Sequence, residues 1–179
     1  ITLYTQTERP EHVSDSVCVW LGSPGQTRLR QERLGSLTQG VFGHPAYFGR
    51  FGRPVAPEDL EHHSWVDLLN GDGSQTTLTH ARMGSYPLPK PARALRVDQY
   101  ILQGDAIAQQ RGVGLMPHWL AAARLAAHPN TLELCLPQWQ GPSLGVWLLY
   151  PHGNLPRKTR AFLDHVRRQV PPDWCTNHE

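Results

Sequence analysis

Gly141-Pro142-Ser143-Leu144-Gly145 matches G-x-S-x-G, the spacing that places a nucleophilic serine on a strained turn. That chemistry needs a strand before the serine and a helix after it. Here Ser143 is followed by VWLLY, an apolar run that reads as a strand, and preceded by Pro142. The segment is therefore expected to be a loop between two strands, and Ser143 is not expected to act as a nucleophile.

Other reactive residues form no set. The chain has ten histidines, but none in H-E-x-x-H and none spaced with cysteine as a metal site requires. His62 and His63 are adjacent, and neighbours on a helix do not face one another, so the pair reads as surface. Asn70-Gly71-Asp72-Gly73-Ser74 is glycine-rich but lacks the Lys-Ser/Thr of a phosphate loop, and reads as a hairpin turn. No nucleophile–base pair, metal or cofactor is expected, and neither is an enzyme. Cys18 and Cys135 lie in apolar runs, and the third cysteine, Cys175, leaves an odd number. Cys18 and Cys135 read as buried small hydrophobes in a reducing compartment, which suits the cytoplasm.

The elements that must hold any site are those of an α/β chain. ITLYT, SVCVWLG, WVDLL, VGLMP, LELCLPQW and VWLLYP read as strands. GSPGQTRLRQ reads as a loop, and residues 70–90 as irregular. HPAYFGRFGRP suggests a short helical turn, and PEDLEHH a helix start with Pro and two acids. Asp98 is placed to cap a helix over DQYILQGDAIAQQ, with Arg111-Gly112 closing it. HWLAAARLAAH and PRKTRAFLDHVRRQV are further amphipathic helices. Strands alternate with helices, which predicts mostly parallel pairing. The 179 residues are 39% hydrophobic and 18% charged, with a formal net charge of +2. That is a globular composition, large enough to bury a core. Arg157, Lys158, Arg160, Arg167 and Arg168 read as the polar face of the last helix rather than a nucleic-acid footprint, because Phe162, Leu163 and Val166 interleave at helical spacing. No apolar run approaches the ~20 residues of a membrane span.

Four segments, in order, resemble the effector-binding domain of LysR-type transcriptional regulators: SVCVWLGSP, GVFGHPAYFGRFGRPVAPEDLEHH, LRVDQYILQGDAIAQQRGVGLMPHWL and LELCLPQWQGPSLGVWLLYPHGNLPRKTRAFLDHV. The second is the most specific. The likeness spans about residues 13 to 170. The family's usual Arg in the turn after the first of these strands is Leu21 here. The chain begins at Ile1 rather than at a methionine, and ITLYT resembles the second strand of such a domain. The resemblance therefore implies an N-terminally truncated piece of a longer regulator, without the winged helix-turn-helix.

It also implies a fold: α/β, two lobes of the periplasmic-binding-protein type 2 kind, joined by two hinge strands near Thr38–Gly43 and Gly145–Tyr150. Lobe one would hold 1–42 and 147–179, lobe two 43–146. A small metabolite would bind between them, small aromatic or carboxylate compounds being typical. Site residues implied are Thr5, Thr7, Ser23, His44, Trp65, Asp67, Asp98, Gln99 and Tyr100. Free N–H groups at the start of the 100s helix favour an anion or carbonyl, and Trp65 offers a face for stacking. Core packing remains the competing reading for Trp65, backbone capping for His44 and Asp98. A ligand that prefers one lobe arrangement ~100-fold shifts the balance by about 2.7 kcal/mol. Expected partners are the effector, a second copy in a homodimer or homotetramer, and DNA through the missing module. The alternative is a stand-alone solute-binding protein.

Overall fold

The computed structural model describes residues 16–69, 76–89, 91 and 93–175. ITLYT, with Thr5 and Thr7, and the Asn70–Ser74 turn lie outside the described residues. In chain order the strands are β1 (Cys18–Leu21), β2 (Arg30–Leu37), β3 (Gln39–Gly43), β4 (Trp65–Leu68), β5 (Thr77–His80), β6 (Gly84–Pro87), β7 (Ala94–Val97), β8 (Gly114–Pro117), β9 (Glu133–Cys135), β10 (Trp139–Gln140) and β11 (Leu144–Tyr150). The α-helices are α1 (Pro45–Phe51), α2 (Tyr100–Ala108), α3 (His118–Ala127) and α4 (Arg157–Gln169). Short 3-10 helices span Pro57–His62 and Pro172–Cys175.

The chain forms two compact units, Ile1–Leu37 with Ser143–Glu179, and Thr38–Pro142. The divisions fall a few residues before those the sequence suggested at 42 and 146. The first unit has an antiparallel sheet in the order β1-β11-β2. Its middle strand is closed on both faces, with Val146, Leu148 and Leu149 fully buried. α4 lays Leu163 against Leu148 and Tyr150, with Leu34 and Val166 at the edge. Arg157, Lys158, Arg160 and Arg168 are exposed, as the amphipathic pattern required.

β2 corrects the loop assigned to its first residues. Arg30 and Glu32 look like loop residues because they are charged, yet Glu32 is anchored. It accepts from Arg167 Nε and Nη2 at 2.8 and 2.7 Å and from Tyr150 Oη at 2.9 Å. The guanidinium beside it holds the Glu32 carboxyl below its usual range. Strand β2, strand β11 and helix α4 are thus tied at one carboxylate. Gly35 is required in β2 because a Cβ there would strike the Trp174 backbone.

The second unit holds three small sheets: β8-β3-β9, β10-β5-β6, and β4 with β7. β3 is buried along its whole length. Among the described residues, parallel pairing is confined to β4 with β7 and a bridge from Trp65 to Val113. The expected parallel majority is therefore corrected. Most neighbouring strands here are far apart in sequence and run antiparallel, which local alternation of helix and strand does not reveal. The stretch expected to be irregular holds the β5–β6 hairpin. His80 closes it, its Nδ1 accepting from the Arg82 and Met83 amides at 3.0 Å each.

Buried Tyr47 and His63 form a bonded set with half-buried Ser64. Tyr47 Oη accepts from the Ser64 amide at 3.1 Å and lies 3.3 Å from His63 Nδ1. This overturns the surface reading of His63, which is 6% exposed, while His62 stays exposed. Burial holds the His63 and His118 imidazoles below their ordinary range. A depressed folded pKa stabilises the fold above the unfolded value near 6.5 and loses that contribution as pH falls through the folded value. The melting temperature is expected to decline as the pH falls below about 6.5. A His63→Gln, His118→Gln double variant is expected to flatten this part of the profile, and an unchanged slope would assign the decline to other groups.

Candidate functional site

The parallel pair β4–β7 gives the second unit a defined carboxyl edge. Asp67 pairs with Arg96 and Leu68 with Val97, and the Leu69 amide donates to the Val97 carbonyl at 2.7 Å. The strands end together, so Asp67 and the segment Asp98-Gln99-Tyr100 emerge on one side. In α/β sheets ligands bind outside the carboxyl ends of parallel strands.

α2 starts at this edge. Its cap is Gln99, in extended backbone, and not Asp98, which corrects the expected cap by one position. The Gln99 side chain makes no capping bond. The first-turn N–H groups have no partner within the helix. Asp98 is half-buried, and Gln99 is exposed. Burial pushes the Tyr100 hydroxyl up to about 12, so it is a neutral donor throughout the physiological range. The edge therefore offers helix N–H groups, an amide and a phenol beside two carboxylates. It suits a small polar ligand that presents both an acceptor and a donor.

The remaining residues separate. Asp67 is exposed, and its Oδ1 accepts from the Leu68 amide at 3.0 Å. Trp65 is 8% exposed and packs with Val41, Tyr47, Leu60 and Val113. Its indole N–H points at the Leu60 carbonyl, 3.4 Å away. It is a core side chain, which removes its expected stacking face. His44 caps α1, with Nδ1 accepting from the Ala46 amide at 3.0 Å, and this leaves Nε2 outside the capping bond. Ser23 lies in the first unit, exposed, after a turn in which Gly22 has φ +96°. Its Oγ accepts from the Gly25 amide at 3.4 Å. Ser143 is exposed and followed directly by β11, with no helix to complete an elbow.

Two polar residues escaped the sequence reading. Gln103 is 2% exposed, donates to the Val66 carbonyl at 2.9 Å, and leaves its Oε1 without a partner. It sits one turn inside α2, where glutamine reads as surface. The signal was Gly114, since a Cβ there would crowd Ile107 and the Gln103 amide. Gln39, 6% exposed, opens β3 and donates to the Pro142 carbonyl at 2.8 Å. Among the described residues no cluster of His, Cys, Asp or Glu could hold a metal ion.

A family model for the LysR substrate-binding domain matches residues 9–171. The iron-regulated virulence regulatory protein IrgB of Vibrio cholerae is 33% identical over 175 residues, covering 97% of this chain and 59% of that protein. The HTH-type transcriptional activator AaeR of Escherichia coli is 25% identical over 179 residues, covering 93% and 54%. The chain thus spans little more than half the length of these relatives. Among solved structures, the full-length virulence activator AphB of Vibrio cholerae superposes with a TM-score of 0.70 at 19% identity, covering 90% of this chain and 55% of that one. The regulatory domain of CrgA from Neisseria meningitidis gives 0.70 at 18%, covering 87% and 75%.

His44 is the one expected site residue whose present bond has a known size. Removing a helix cap costs ~1 kcal/mol, which for a chain of this length lowers the melting temperature by about 2–4 °C. His44→Ala is expected to show that loss in a thermal melt, and His44→Asn, which still caps, to show little of it. Equal losses would mean that the imidazole ring itself holds the turn.

Proposed function

The chain belongs to the LysR substrate-binding domain family, and from that premise we propose that it is the effector-sensing part of a LysR-type bacterial transcriptional regulator. Its fold is the type 2 periplasmic-binding-protein-like fold of such regulatory domains. The observation that carries the reading is the family match over residues 9–171, joined to IrgB at 33% identity across nearly the whole chain. Of the two relatives quoted above, IrgB is named as a regulatory protein and AaeR as a transcriptional activator.

In this reading the units Ile1–Leu37 with Ser143–Glu179, and Thr38–Pro142, are the two lobes of the sensor. The effector is a small metabolite held by Asp98, Gln99 and Tyr100 at the start of α2, with Asp67 beside them and His44 contributing a polar contact. A ligand acts by binding one arrangement of the lobes better than another, since equal affinity shifts nothing. The parent regulator reads DNA through a separate module, in the cytoplasm, as a dimer or tetramer. No described helix is long and apolar enough to cross a membrane.

Thermal melting against a panel of small carboxylate and aromatic metabolites tests the reading. A ligand at a hundred times its dissociation constant adds ~2.7 kcal/mol to the stability of the folded form. A hit is expected to weaken in Gln99→Ala and in His44→Asn, the second of which keeps the cap and so isolates the imidazole. A hit untouched by both would move the site elsewhere. Light scattering is expected to give a dimer, and a monomer at micromolar concentration would remove the assembly from the proposal.

A further inference from the structure

The chain passes between its units twice, at 37–38 and at 142–143. On the first unit's side these passages are paired, with Leu37 opposite Leu144 in β2 and β11. On the second unit's side the Gly141 amide donates to the Gln39 carbonyl at 2.9 Å. Between these two points Pro142 has no N–H to give, so its carbonyl is the backbone group it offers for a bond across the two passages. The Gln39 side chain stands there, its Nε2 donating to the Pro142 carbonyl at 2.8 Å. Residues 39 and 142 are 103 positions apart in the sequence, so this one side chain joins the outgoing and returning passages.

The surroundings fix Gln39 in place. Its backbone lies in β3, opposite Pro117 of β8, and it is 6% exposed. The neighbouring Thr38 carbonyl accepts from the His118 amide at the start of α3, at 3.1 Å. Gly141 is held close because a Cβ there would strike the Leu115 side chain. A buried glutamine costs stability unless its amide is bonded. Its bond to Pro142 is therefore a fixed part of the structure.

We propose that Gln39 is a positioning residue that clasps the two passages into one paired ribbon. The inference rests on the sensor reading for its purpose, because a paired ribbon matters where two lobes change angle. With the clasp closed, both passages must bend together, and strain placed on one is shared by the other. With it open, the passages stay joined by the backbone bonds on either side alone, and the lobes sample a wider range of angles without either unfolding.

The test needs no ligand, so it stands or falls separately from the metabolite panel. Fluorescent labels are placed at Lys158 and Arg82, one in each unit, in the full 179-residue chain with its native cysteines replaced by alanine. Distance distributions are read by single-molecule energy transfer, and amide exchange at Gly141 is followed alongside. Q39M keeps the length but has no donor, and Q39E has none while ionised. At neutral pH both are expected to broaden the distribution and to speed Gly141 exchange roughly tenfold, which is ~1.4 kcal/mol at one decade. As acid protonates the new carboxyl, Q39E regains a donor and is expected to return to the width and rate of the parent chain measured at the same pH. Parental width and exchange in both variants at neutral pH would overturn the clasp. So would a Q39E that stays broad after protonation, which would assign the effect to packing. Slow exchange at Val66 and Val113, deep in the second unit, confirms that the variants are folded, and Q39E alone carries the test if Q39M is not.

Discussion

The first unit depends on β11 lying between β1 and β2. Those two strands come from the start of the chain and β11 from its last third, so the sheet closes only when the whole intervening unit has been accommodated. β11 is suited to this place because it is apolar on both faces. Val146, Leu148 and Leu149 are fully buried, and Tyr150 reaches the Glu32–Arg167 pair at its end. A strand polar on one side would leave charged groups in an interior where an unpaired charge costs far more than in water. Everything else in the unit follows from this insertion. α4 has a core to cover, Gly35 admits Trp174, and both passages between units must lie side by side.

Local chemistry predicted local structure well. α3 and α4 were visible from their apolar spacing, and the strand at 144–150 from its unbroken apolar run. The short α1 was visible from His44-Pro45 and Gly52. The pairing of strands was not visible, because β3 with β8, or β1 with β11, depends on contacts between distant segments that no window of neighbours contains. β2 was hidden for another reason. Its charged residues look solvated, and only Arg167, far along the chain, turns Glu32 into an anchor.

The same division separates the candidate site residues. Asp67, Asp98, Gln99 and Tyr100 were suggested as residues near strand and helix ends, and the parallel register of β4 and β7 is what brings them to one edge. Trp65 is only two positions from Asp67, yet it is a core residue, because Trp65 stands at the beginning of β4 among Leu60, Val41 and Val113. Gln39 and Gln103 carried no sequence signal of their own. Each is made significant by a glycine or a proline elsewhere, Gly114 for Gln103 and Pro142 for Gln39. Polar residues whose role is set by a distant small or donor-less partner are not legible one segment at a time.

The electrostatics of the carboxyl edge constrain what it can hold. The first turn of α2 attracts negative charge, worth ~0.3–1 kcal/mol at an exposed site, while Asp67 and Asp98 repel it. A simple dianion gains little from such a place. A ligand with one carbonyl or carboxylate directed at the helix N–H groups, and a hydroxyl or amine directed at an aspartate, satisfies both. Burial raises the Cys18 thiol and pushes that of Cys135 up to about 12, with Sγ donating to the Val41 carbonyl. Reactive cysteines are the ones held as thiolates, and these two are held as thiols. Burial thus sets both apart from the low-pKa thiols that oxidise readily.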